Sequence, residues 1–206
     1  MTTDATELQA RQGYARGRAT REEILDAAMR LFGDVGYHTA SLREVASRVG
    51  ISHPGLLHHF ASKAVLLAAV LERRDEVDRV DFREDLERGV EFFDALARLA
   101  DRNATRPGIV ALYATLSAEA TSPEHPAHGY FQERYVTVLD GATRELESLR
   151  SAGRLRQGVD PRTAARLVVA GMDGLQLQWL LEADGAGERV DMGATIRALY
   201  RSLLVD

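Results

Sequence analysis

Apolar positions recur every three to four residues along most of the chain, and clusters of Gly, Pro and Ser cut that rhythm into segments. Thr20-Arg21-Glu22-Glu23 reads as a capping box opening a helix with Ile24, Leu25, Ala28, Leu31 and Phe32 on one side, ended by Gly33 and Gly36. Two short helices follow in residues 41–60. Ser62 and Lys63 start another, with Val65, Leu66, Ala69 and Val70 inward. Next comes a helix over roughly residues 84–101 and one opened by Pro107. Beyond the proline-broken linker TSPEHPAHG, a long helix begins near Tyr130 and stops near Gly153. Asp160-Pro161 is an N-cap with proline at the first helical position. After a Gly185–Gly187 turn, Met192 to Leu204 form the last helix. The pattern predicts an all-α chain of about nine helices.

Residues 41–60, SLREVASRVGISHPGLLHHF, say most about function. Ser41 and Glu44 form a capping box, Val45 and Val49 an inward face with Ala46, and Gly50 suits a left-handed helix end. Ile51 plugs the core, Ser52 caps a second helix, and Leu56 is its inward residue. Two readings fit. One is a helix-turn-helix whose second helix enters the DNA major groove. The other is a helical hairpin that serves only the core. On the first reading, Ser52, His53, Pro54 and Gly55 make the leading turn, where free backbone N–H groups suit a phosphate or a base edge. His53 can donate or accept at a base edge, and Pro54 and Gly55 offer apolar contact to a thymine methyl.

The stretch ATREEILDAAMRLFGDVGYHTASLREVASRVGISHPGLLHHFASKAVLL resembles the DNA-binding domain of TetR-type transcriptional regulators. The likeness covers roughly residues 18–78, with FGDVGYHTAS, VASRVGIS and HHFASK its most specific parts. It implies an N-terminal three-helix helix-turn-helix domain and a C-terminal helical domain that dimerises and binds a small ligand. It also implies base contacts at the start of the second short helix and a phosphate contact at Lys63, with Ser41, Arg43 and His58 near the DNA. Leu57 departs from the family, which usually places a phosphate-binding tyrosine there. SAEATSPEHPAHGYF and DGLQLQWLL resemble an actinobacterial subgroup of the same family.

Charge fits this picture only through its distribution. The formal net charge is -5 over 206 residues, but residues up to 64 hold eight basic and seven acidic side chains, against 18 and 24 in the remainder. An architectural DNA binder would be markedly basic. Arg11, Arg16 and Arg18 sit in RQGYARGRAT, read as a flexible basic arm over residues 1–17. Arg16 and Arg18 either reach phosphate or the minor groove, or simply stay solvated. With no cysteine, a disulfide or thiolate metal site is excluded. His58 and His59 are adjacent on a helix and diverge by about 100°, which disfavours a shared metal. No metal or cofactor is expected, no apolar run reaches membrane length, and a cytoplasmic location follows.

The remaining chain, 79–206, is read as the effector-binding and dimerisation domain. Ala170, Gly171 and Gly174 in a helix interior fit either close packing in one subunit or a two-fold helix bundle between subunits. Phe93, Tyr113, Phe131, Tyr135, Met172, Gln176 and Trp179 could line a cavity or be plain core, and His125 and His128 read as solvated. Phosphate-binding glycine loops, metal-spaced His-Glu pairs and nucleophile elbows are all missing, so no enzyme is expected. The expected function is a homodimeric repressor on a palindromic double-stranded DNA operator, released by an unknown small-molecule effector. An activator of the same fold and a non-specific architectural DNA-binding protein are the alternatives.

Overall fold

A computed structural model describes residues 3–182 and 189–205, with side chains from Gly17 onward. Among these residues nine helices follow one another: α1 (Thr3–Thr39), α2 (Leu42–Val49), α3 (His53–His59), α4 (Lys63–Glu87), α5 (Phe92–Ala104), α6 (Pro107–Glu119), α7 (His128–Ser151), α8 (Pro161–Leu181) and α9 (Met192–Arg201). The chain is all-α. Its one strand-like pairing among the described residues is an antiparallel bridge between Leu155 and Leu204.

The first helix corrects two expectations. Residues 1–17 were read as an irregular arm, yet α1 already starts at Thr3 and runs straight through the Thr20 capping box. Glu7, Leu8, Gln9, Ala10 and Arg11 are strong helix formers and outweigh Gly13 and Gly17. The side chain of Arg16 and the Gly185–Gly187 turn lie outside the described residues. Gly33 does not end the helix. A Cβ there would sit 3.0 Å from the backbone nitrogen of Leu112, so Gly33 lets α6 approach α1. The true break is Gly36, at φ 76 and ψ 168, a region essentially reserved for glycine.

A helix expected over 84–101 is instead the end of α4, a turn at Gly89, and α5. The inward stripe of α4 explains the misreading. Leu66, Leu67, Val70 and Leu71 are buried, but the same stripe continues as Arg74, Asp78 and Asp85. Arg74 pairs with Asp78 at 2.8 Å within the helix, and the further partners of the two carboxylates arrive from later in the chain. Asp85 accepts from Arg98 at 3.1 Å and Arg102 at 2.7 Å, while Arg106 approaches Asp78 at 3.4 Å. Ion pairs thus replace apolar side chains along a buried helix face.

Packing joins head to body. The first core contains Ile24, Leu31, Val45, Leu56 and Leu66 from the head together with Leu112, Leu116 and Phe131 from α6 and α7. The boundary placed at 78/79 falls inside α4. A second core gathers α5, α7, α8 and α9 around Phe93, Leu146, Val168 and Tyr200. A third holds Val110, Leu175, Trp179, Met192 and Ile196. No single helix among the described residues is long and apolar enough to cross a membrane.

Candidate nucleic-acid interface and ligand cavity

The α2–α3 corner is built by local chemistry. Ser41 accepts from the Glu44 N–H at 3.2 Å, while the Glu44 side chain turns away to Arg48 at 2.9 Å. Gly50, at φ 77 and ψ 25, ends α2, and the Ile51 N–H reaches Ala46 O at 3.0 Å. That bond satisfies an orphan carbonyl and folds Ile51 onto the core. Ser52 then accepts from the Gly55 N–H at 3.1 Å, and Pro54 occupies the first turn of α3.

Leu56 is fully buried, and it fixes which way α3 faces. Ser52, Pro54, Leu57 and His58 are exposed, with His53 and Gly55 half-buried beside them. Ser41 and Arg43 are exposed on the neighbouring helix start. The cap hydroxyls of Ser41 and Ser52 accept from backbone, which leaves each O–H free to donate to a phosphate oxygen. Arg21 stacks over Phe60 at 5.0 Å, next to the end of α3, and Arg18 is exposed one turn earlier on α1. The described residues expected at DNA are thus wholly or partly accessible, and one of them is an exception in its partners.

Lys63 is that exception. Expected on phosphate, its Nζ instead donates to Tyr37 O at 2.8 Å, Ala40 O at 2.9 Å and His38 O at 3.3 Å. It also lies 4.4 Å from the centre of the Tyr37 ring. All three ammonium protons are thereby spent on the link between α1 and α2. Nothing within the local sequence points to those carbonyls, which lie some two dozen residues earlier.

The same link is gripped from the body. Glu119, at the end of α6, accepts the Tyr37 N–H at 2.8 Å. His125, read as solvated, is buried against the Tyr37 and His38 rings at 5.0 and 5.4 Å. Burial pushes its pKa down despite Glu119 nearby, favouring the neutral ring. His128, likewise read as solvated, is half-buried and hydrogen-bonds Ala120 O at 2.8 Å.

Inside the body lies a cavity of about 320 Å³ between α4, α5, α6, α7, α8 and α9. Tyr113, Phe131, Tyr135, Met172 and Gln176, for which cavity wall and plain core were both open, line it. Phe93 and Trp179 do not. Phe93 stacks on Tyr200 at 5.3 Å, and Trp179 packs in the third core under Arg189 at 4.5 Å. Helical spacing puts aromatics on an inward face but cannot say which neighbour they meet. Sequence reasoning missed Arg74, Asn103, Ser117, Arg134 and Asp173, which also line the cavity. Their signal was available on α4, where Arg74 occupies a position that the apolar rhythm reserves for a core residue.

Comparison with known proteins agrees with this geometry. Residues 24–70 match the family described as bacterial regulatory proteins, tetR family. Over 198 residues, 92% of this chain, it is 27% identical to the A-factor receptor protein of Streptomyces griseus and spans 64% of that protein's length. It is 24% identical over 186 residues to the HTH-type transcriptional regulator UidR of Escherichia coli K12, covering 90% of this chain and 93% of UidR. The structure of Salmonella enterica GusR superposes with a TM-score of 0.68 at 28% identity, covering 90% of this chain and 95% of GusR.

Proposed function

Starting from its membership of the tetR family of bacterial regulatory proteins, which are DNA-binding transcriptional regulators and not enzymes, we propose that this chain is a ligand-responsive repressor. It binds a palindromic operator as a homodimer in the cytoplasm and leaves it when a small molecule occupies the cavity. The observation that carries this reading is the exposed leading turn of α3, held outward by the fully buried Leu56. The name of the A-factor receptor, a relative over 92% of this chain, supports the ligand response.

The outward face of α8 supports the dimer. Leu167, Ala170, Gly174, Leu177 and Leu181 follow the alternating three-and-four spacing of a coiled-coil seam. Leu167 is 59%, Leu177 51% and Leu181 84% exposed in the single chain, a stripe of a kind that marks an interface. A Cβ on Gly174 would meet nothing within 4 Å, so this glycine faces outward, whereas one on Gly171 would meet Leu199 at 3.0 Å inside the subunit. A dimer that holds its two α3 helices about 34–36 Å apart would reach successive major grooves.

Selection of bound DNA from a random pool, followed by footprinting, tests the reading. The expected result is one protected palindrome. Uniform coverage, or no binding at low salt, overturns it. Leu181→Glu, on the seam and outside the cavity lining, should give monomers by sedimentation and lose the footprint. In vitro transcription from the selected site distinguishes repression from activation.

A further inference from the structure

We infer that the cavity takes an amphipathic anion, with its acid group at Arg74 and Arg134 and its apolar chain between α5, α8 and α9. This rests on the cavity being the effector site and names the class of effector.

The polar end of the cavity is rich in donors. The Arg74 side chain is 4% exposed, and its guanidinium stacks 3.6 Å from the Tyr113 ring centre. It reaches Asp75 at 3.1 Å and Asp78 at 2.8 Å, yet its buried Nε has no hydrogen-bond partner. A buried donor left unsatisfied is costly, and a ligand oxygen removes that cost. Arg134 lies 4.8 Å from the same ring centre and gives one N–H to Asp75 at 3.0 Å. Asn103 Oδ1 accepts from Arg106 at 2.9 Å, which leaves its amide N–H groups as the free side of that residue.

The acceptors at this end already face arginines, although Asp78 Oδ2, 2.8 Å from Arg74, has no well-aligned hydrogen bond. Asp75 takes Tyr113 at 3.0 Å and Tyr130 at 2.7 Å in addition to both arginines. Asp78 pairs with Arg74 and Arg106. Three guanidinium groups thus face Asp75 and Asp78 directly. The remaining carboxylate on the cavity wall is Asp173, on α8, and it accepts the Tyr135 hydroxyl at 2.8 Å. Burial pushes its pKa up, while the Tyr135 hydroxyl and the charge of Arg134 act against that rise. Leu99, Val169, Met172, Met192 and Ile196 line the rest as apolar wall. A volume of about 320 Å³ is at the small end for ligand sites.

The test is isothermal titration calorimetry of the full chain at pH 7.5 and fixed ionic strength. The probes are octanoate, 1-octanol and octylamine, each below its aggregation concentration. Octanoate should bind at least about tenfold tighter than octanol, with octylamine weakest, the advantage an ion pair in a dry site provides. Arg134→Gln, on a half-exposed site that leaves the core intact, should erase that preference and leave octanol affinity unchanged. Arg74→Gln should do the same, with its fold checked by circular dichroism. Equal or tighter octanol, a preference for octylamine, an unaltered preference in Arg134→Gln, or no binding at all overturns the inference. Val169→Trp, which fills the cavity, separates the two readings. Octanol binding lost in that variant, without any preference for the acid, sinks only the anion. Octanoate binding that survives the plug sinks the location.

Discussion

Replacing Lys63 with methionine removes the ammonium while keeping the stem beside Tyr37. Three carbonyls lose a charged donor, two of them at 2.8 and 2.9 Å and the third at 3.3 Å. A hydrogen bond to a charged group contributes about 1.5–3 kcal/mol. The site is half-buried and water can reach the freed carbonyls, so the net loss is about 2–3 kcal/mol rather than the full sum. For a chain of this size, 1 kcal/mol moves the melting temperature by about 2–4 °C. The expected drop is about 5–10 °C at fixed protein concentration.

DNA binding against salt supplies the second readout. Each phosphate neutralised by a side chain adds about 0.9 to the slope of log affinity on log salt. Were Lys63 a phosphate ligand, its loss from both subunits of a dimer would lower the slope by nearly two. With all its protons held by the α1–α2 link, Lys63→Met should weaken binding modestly and leave the slope unchanged. An unchanged melting temperature with a slope lower by about two would refute the structural role.

Leu57→Tyr places a hydroxyl on the exposed face of α3, and one phosphate hydrogen bond of about 1 kcal/mol per subunit should tighten operator binding by roughly fivefold per half-site, read by anisotropy. Gly36→Ala puts a Cβ onto Glu119 Oε1 at a backbone geometry only glycine adopts, so it should cost about 3 kcal/mol and lower the melting temperature by about 6–12 °C. Burial alone would raise the Asp85 pKa, but hydrogen bonds from Arg102 and Arg98 outweigh it and hold the carboxyl below its ordinary value. Its contribution is therefore present above about pH 4 and lost as pH falls through the native pKa. Asp85→Asn should melt well below the wild type at pH 7, and the gap should close in acid.

The reading head was legible because its signals are local. Ser41, Gly50 and Ser52 each act on a neighbour within five residues, and Leu56 fixes the helix face alone. The partners of Lys63 and His125 were not legible because they are distant in sequence: the Lys63 carbonyls lie 23 to 26 residues back, and His125 meets Tyr37 and His38 through space. Helical rhythm placed Phe93 and Trp179 inside, where they are, but the choice between core and cavity depends on the rotation of α5 and α8 against their neighbours. The polar half of α4 was not joined to its apolar start because its buried face is filled by charge, and besides Arg74 the counter-charges Arg98, Arg102 and Arg106 come from later in the chain. A capping box at Thr20 was a false start, since a good cap does not stop helix-forming residues before it from continuing the helix.

Two of the helices that line the cavity end in a grip on the same short link. α4 contributes Arg74 to the cavity and begins at Lys63, about three turns away, where it binds the carbonyls of Tyr37, His38 and Ala40. α6 contributes Tyr113 and Ser117 and ends at Glu119, which binds the Tyr37 N–H. Residues 36–40 are thus the place where a displacement of either helix meets the start of α2. A ligand can shift that arrangement only by the difference in its affinity for two states of the chain. Turning a 99:1 preference into its reverse takes a difference of about 10⁴. A preference for the acid over the alcohol distinguishes ligands, not states, and supplies none of that difference by itself. The difference must come from the apolar chain fitting one spacing of α5, α8 and α9 better than the other, so an acid with no apolar body should bind weakly and release no DNA.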